Sequence, residues 1–377
     1  MKFFLGLLFL ATSVVGQFAN KYYQLLLKEH ANENIATSPL ALEVALNMIY
    51  MGSKDKTATE LKEVLKVTEN TKIVSGKYDA FFQVLKTRET TSALDIANSI
   101  YVSDKIHIVP EYSKAVEESF HAQAVPINVA SPDKAASVVN AWVKKKTHDR
   151  IPNAVTAKDI DPSLKILLLN AFAFKGEWVF KFPSFKTRVE KFHSSSGKAQ
   201  SIKMMSQYGF YKAGELPALD AKVLQLRYHK SSLSMFVFLP NKADGLTKLE
   251  EKIGEASYQN LTSRQVHIKL PKFKIEFKSE LNGILKKLGI VEVFGAAANL
   301  EDLVQEKSTE ISKVIQKGVV EISEQGSGFA SILGIRESLI SNKRLPDAMV
   351  FKATHPFAYI IRDERSIYFQ GHFVTVD

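Results

Sequence analysis

Two stretches rich in β-branched and aromatic residues, Lys313–Ile322 and Phe357–Arg362, read as strands. The connection between them runs from Glu324 to about residue 350, and connections of that length in compact domains are usually functional or disordered. Its composition is not that of a disordered segment, because Phe329, Ile332, Leu333, Ile335, Leu339 and Ile340 suit a strand. At period two, Ser327, Phe329, Ser331, Leu333 and Ile335 share one face, and Gly328, Ala330, Ile332, Gly334 and Arg336 share the other. The pattern of a half-buried strand therefore lies where an exposed loop is expected. Two readings stay open on the pattern alone: a loop able to become a strand, and a hairpin with an apolar tip.

Nearer the N-terminus the spacing changes. Phe18 to Lys28 has helical amphipathic spacing, Asn32 to Thr37 reads as a turn, and Ser38-Pro39 opens a longer helix from Leu40 to Gly52. Serine before proline is a helix start and glycine a stop. Thr57 to Val67 predicts a further helix. Periodicity by itself reaches a mixture of α and β and stops there.

Composition adds bounds. A chain of 377 residues, 45% hydrophobic and 24% charged, suits one large domain or two modest ones. The net charge of +10 is spread without a block of five or more like charges, which argues against a nucleic-acid-binding tail. Basic balance permits attraction to polyanions such as cell-surface glycans, with general solubility as the ordinary reading. A run such as Lys144 to Lys146 offers cations for glycan contact, with a solvated helix face as the ordinary reading.

Residues 1–16 have the form of a secretory signal: Lys2, an apolar run from Phe3 to Ala11, and the small-residue site Val14-Val15-Gly16. The run is too short to span a bilayer, and no later segment reads as transmembrane. The expected product is a secreted monomer of residues 17–377. The chain has no cysteine, so it must be held by its core, and thiol nucleophiles and cysteine metal sites are excluded. Asn260-Leu261-Thr262 is a glycosylation sequon.

Several motifs converge on one family. Glu33 to Gly52 with Lys56 to Leu61, Leu94 to Val102 around Asn98, Asn140 to Thr147 around Trp142, and Leu168 to Trp178 around Asn170 each closely resemble serpin signatures. Leu233 to Pro240, Leu270 to Ile275, Leu288-Gly289-Ile290 with Phe294, His355-Pro356-Phe357 and Phe369-Gln370-Gly371 continue the resemblance in order. The resemblance to the serpins covers most of the chain. It implies an α+β fold of about nine helices and three sheets, with an exposed reactive-centre loop, residues 324–350, above a large central sheet. It also implies an inhibitor rather than an enzyme. A serine protease attacks the loop, forms an acyl-enzyme, and is carried away as the cut loop inserts as a strand. On insertion the face beginning at Ser327 would turn inward.

Two counts bracket the cut bond. In the family the hinge glutamate precedes the cleaved carbonyl by about sixteen residues, which leads from Glu324 to Ile340, with Ser341 following. Counting back about eleven residues from Pro356 leads to Leu345. Lys343 and Arg344 lie inside the bracket and are favoured, since a basic residue fills the pocket of a trypsin-like protease. The competing reading is that these two cations keep an apolar loop soluble. Cleavage at Ile340 would instead imply an elastase-like target.

The chain departs from the family at three places. The hinge Glu324, Gly326, Ser327, Gly328, Phe329, Ala330 carries Phe329 at an inward position where the family uses alanine, and overpacking costs about 1–3 kcal/mol. Beneath the sheet, in the shutter, Ser38 and Asn170 match, but Ala41 stands for a serine and Gln316 for a histidine. Ala297 to Leu303 also differs and reads as neutral. These departures keep open a non-inhibitory alternative: a carrier, a storage protein or a decoy substrate.

No other chemistry competes. There is no Gly-x-Ser-x-Gly elbow, and the nine histidines lack metal spacing, so no catalytic residue, metal or cofactor is expected. No nucleic-acid or membrane partner is expected either.

Overall fold

The computed structural model describes residues 4–67, 70–88, 92–255, 258, 261–325 and 348–376. Its helices are α1 (Phe4–His30), α2 (Pro39–Met51), α3 (Asp55–Leu65), α4 (Thr71–Arg88), α5 (Pro110–Phe120), α6 (Pro132–Lys146), α7 (Leu246–Glu250) and α8 (Asn282–Leu288). Its strands are β1 (Ile35–Thr37), β2 (Ser92–Ser103), β3 (Gln123–Ile127), β4 (Ile166–Gly176), β5 (Arg188–His193), β6 (Ala199–Leu216) and β7 (Ala221–Arg227). They continue with β8 (Ser234–Pro240), β9 (Thr262–Pro271), β10 (Phe273–Glu280), β11 (Ile311–Ile322), β12 (Met349–Lys352), β13 (Phe357–Arg362) and β14 (Ile367–Phe373).

The central sheet has five strands in the order β10-β11-β4-β2-β3. The second sheet runs β1-β14-β13-β8-β7-β6-β9-β12, with β5 beside β6. Three sheets become two because β6, 18 residues long, pairs with β9 and β5 along most of its length and then with β7 at its end. The sequence pattern missed β12, which begins at Met349 and so trims the expected loop at its C-terminal end.

Helix α2 lies in the core between the sheets, touching β14 on one side and β2 and β4 on the other. Its start follows the expected chemistry: Ser38 is the N-cap, and its hydroxyl accepts the amide of Ala41 at 3.1 Å. Its end does not. Gly52 has φ −96°, so no left-handed turn calls for glycine there; a Cβ would come within 2.6 Å of Leu303 Cβ, and close packing is what requires it.

The run Ile166 to Phe174 on β4 is apolar apart from Asn170 because both its faces are covered. Leu168, Phe172 and Phe174 face the large core, while Leu167, Leu169, Ala171 and Ala173 face Val139 and Val143 of α6. Among the described residues no helix is long and apolar enough to cross a membrane.

Candidate functional site: a closed seam and its hinge

Strands β4 and β11 are parallel neighbours, paired from Ile166 with Ile311 to Phe174 with Val320. Any chain that leaves the end of β11 and turns back runs antiparallel to β11. Because β4 is parallel to β11, the same chain would be antiparallel to β4 as well. Parallel pairing is slightly less stable per residue than antiparallel pairing. The seam is thus a place where an added strand exchanges one parallel ladder for two antiparallel ones.

Polar groups cross the seam beneath it, on the face toward α2. Gln316 of β11 donates from Nε2 to Asn170 Oδ1 of β4 at 2.6 Å and to the Ser38 carbonyl at 3.1 Å. Its Oε1 accepts from Thr37 Oγ1 at 2.5 Å and Tyr22 OH at 3.0 Å. Asn170 Nδ2 donates to Asn98 Oδ1 at 2.5 Å, and Asn98 reaches the Ala41 carbonyl at 3.5 Å. Ser38 Oγ donates to the Tyr368 carbonyl at 2.6 Å. Gln316 and Asn170 are fully buried, and burial pushes the Tyr22 phenol up, which keeps it a donor.

The paired change at Ala41 and Gln316 therefore leaves no stranded partner: the glutamine amide uses both its nitrogen and its oxygen, and position 41 contributes its carbonyl. Tyr22, Thr37 and Asn98 belong to this network and were not picked out as such from the sequence. Asn98 lies within the motif Leu94 to Val102, but nothing local marks Tyr22, 294 residues from Gln316. Gln316→Leu should unpair Asn170 Oδ1 and one hydroxyl proton of the Tyr22–Thr37 pair, while those two hydroxyls keep each other at 2.8 Å and the Ser38 carbonyl keeps the Leu42 amide at 3.1 Å. At about 1–3 kcal/mol per stranded buried group, a loss of about 3 kcal/mol or more is expected. For a chain of this length that is a drop of about 4 °C in Tm by calorimetry. An unchanged Tm would mean the network is not holding the seam.

At the top of the seam the chain leaving β11 is held by the segment that follows β4. Trp178 Nε1 donates to the Ser323 carbonyl at 2.9 Å, Phe182 N to that of Glu324 at 2.8 Å, and Trp178 N to that of Gln325 at 3.1 Å. Trp178 is buried and stacks on Tyr228 at 4.5 Å. The Glu324 carboxylate accepts from Lys272 Nζ at 2.8 Å and from Thr187 Oγ1 at 3.0 Å. Partial burial pushes this carboxyl up, but the bonds from Lys272, its own backbone and Thr187 outweigh burial and hold it below its ordinary value. Because the folded value is depressed, the anchorage is present above the ordinary carboxylate value of 4.5 and is lost as pH falls through the lower one. Glu324→Gln should accordingly flatten the loss of Tm between about pH 5 and pH 3. Parallel curves for both proteins would exclude the anchor.

Residues 326–347 lie outside the described residues. Gly326, Ser327, Gly328, Phe329, Ala330, Ile340, Ser341, Lys343, Arg344 and Leu345 are among them, as is Asn260. Elsewhere Lys144 pairs with Asp149 at 3.4 Å and Lys146 lies over the Trp142 ring at 5.6 Å, so two of the three cations in that run have local partners. Among the described residues no cluster of acidic and histidine side chains could hold a metal.

A closed parallel seam, a polar cluster that locks it and a pinned hinge at its top are features that homology can be checked against. The family model for serpins, serine protease inhibitors, matches residues 13–376. The chain belongs to the serpin family. It is 38% identical to serine protease inhibitor 42Dd of Drosophila melanogaster over 375 residues, 99% of this chain and all of that protein. The structure superposes on Serpin48, described as a highly specific serpin of the insect Tenebrio molitor, with TM-score 0.86 and 29% identity, covering 97% and 98% of the two chains. Uncleaved ovalbumin gives TM-score 0.86 at 28% identity, covering 97% and 99%. Serpins are inhibitors of serine proteases rather than enzymes, and the family has both inhibitory and non-inhibitory members.

Proposed function

We propose that this serpin is a secreted inhibitor of a trypsin-like serine protease, cut at Arg344 or Lys343, whose loop then enters the sheet between β4 and β11. The parallel seam directly below the end of β11 carries the reading, since an entering loop finds an antiparallel partner on each side. Three N–H groups hold the hinge carbonyls, and Lys272 and Thr187 hold the Glu324 side chain; these are bonds that a cut loop would displace. The inhibitor would supply no catalytic group; the protease's own serine does the chemistry and is trapped as the acyl-enzyme. Secretion follows from residues 1–16, read as a leader.

The test is incubation of residues 17–377 with a trypsin-like protease, followed by a denaturing gel and mass spectrometry of the released C-terminal fragment. A denaturation-resistant adduct is expected. Clean cleavage with active protease left over would instead establish the non-inhibitory reading, for which Phe329 is the specific support. An inward phenylalanine slows insertion by overpacking, and water then releases the protease. In that case Phe329→Ala should restore the adduct.

A further inference from the structure

A second site lies on the outer face of the large sheet, away from the seam. The register sets Ser234 of β8 opposite Arg227 of β7 on one side and Arg362 of β13 on the other. The next row on the same face sets Phe236 opposite Gln225, and continuing the β6–β7 register brings Lys212 opposite Gln225. These rows form the floor of an open cleft of about 800 Å³, with the Tyr258 ring as one wall. A smaller apolar recess of about 210 Å³ adjoins it, lined by Trp178, Phe180, Phe210 and Leu226, and shares Lys212, Gln225 and Arg227 with the larger cleft.

Two features of this surface stand out, although the Phe180 ring also packs edge-on against Tyr211 at 5.9 Å. Phe180 and Phe210 are 50% and 60% exposed at the recess. Lys212, Arg227 and Arg365 have no side-chain hydrogen bond or ion pair among the described residues. The rim also carries two carboxylates, Asp363, which accepts the amides of Arg365 and Ser366 at 2.8 and 2.7 Å and the Tyr368 hydroxyl at 3.3 Å, and Glu364 in the exposed turn between β13 and β14; the lining cations Lys212, Arg227, Arg362 and Arg365 outnumber them. Arg362 is directed at Tyr258 and the carbonyls of that turn. Free guanidinium and ammonium groups beside an open aromatic recess match a ligand with an apolar ring body and an anionic head.

We propose that this cleft binds a small aromatic anion, its ring in the recess between Phe180 and Phe210 and its carboxylate, sulfate or sulfonate head on Arg227 and Lys212. The site adjoins the hinge: Val179 N donates to the Arg227 carbonyl at 2.9 Å, and the neighbouring Trp178 N holds Gln325.

Calorimetric titration of the intact chain with 1-naphthalenesulfonate tests the site, with 1-naphthalenemethanol and inorganic sulfate as separate arms. The sulfonate should bind, and each partial probe should bind at least about tenfold more weakly. Arg227→Gln and Phe210→Ser, both at exposed positions, should each weaken the sulfonate about tenfold. Lys134→Gln, on the distant helix α6, should leave it unchanged, and unaltered Tm values would show that the variants fold. Equal binding of the uncharged alcohol, equal binding of sulfate, indifference to both cleft substitutions, or no binding of the sulfonate at millimolar concentration would each overturn the assignment.

Discussion

Arg344→Ala should lower the rate of inhibition of a trypsin-like protease about 10³-fold. Such a protease holds an anionic group at the bottom of its primary pocket, and removing the cation that meets it leaves that buried charge unpaired, at about 2–5 kcal/mol. Lys343→Ala should have a much smaller effect if Arg344 is the residue cut. Mass spectrometry of the fragment released from the unaltered protein decides between the positions: a fragment beginning at Leu345 places the bond after Arg344. One beginning at Ser341 places it after Ile340, and the target class then changes to elastase-like. Unchanged inhibition by both alanine variants would sink the trypsin-like reading outright.

Nicking the loop between Ile340 and Leu345 should raise Tm by about 6–12 °C. Insertion would bury Phe329, Leu333 and Ile335, and large apolar side chains contribute about 1.5–3 kcal/mol each, or about 5–9 kcal/mol together when the sheet accommodates Phe329; overpacking there would take about 1–3 kcal/mol off. Divided by an unfolding entropy of about 2.1 cal/mol/K per residue, this gives the stated shift, with the new ladder bonds set against the cost of ordering the loop. Calorimetry before and after limited proteolysis measures it. A nicked protein that unfolds at the original temperature has a loop that does not insert, whatever its cleavage site. This outcome is independent of which protease makes the cut, so it separates the insertion from the specificity.

Much of the fold was legible along the chain because its causes are local or repeated. Ser38-Pro39 starts α2 by a cap that involves only the next three residues. The apolar run on β4, interrupted by Asn170, marks a strand covered on both faces. The ordered serpin motifs carried the topology, which periodicity alone did not reach.

Only the folded chain shows how that cluster is completed. The hydrogen bonds of Gln316 reach back to Tyr22, Thr37 and Ser38, nearly 300 residues earlier. A buried amide is satisfied by whichever groups the packing brings near, and sequence distance says nothing about that. The glycine at 52 looked like a stop signal and proved to be a space requirement imposed by Leu303. The anchoring of Glu324 by Lys272 and Thr187 likewise joins loops that share no local pattern. Local sequence thus encodes which elements form and the family to which they belong. The satisfaction of buried polar groups, the close approaches and the cations left unpaired on the sheet face depend on neighbours that only the tertiary structure supplies.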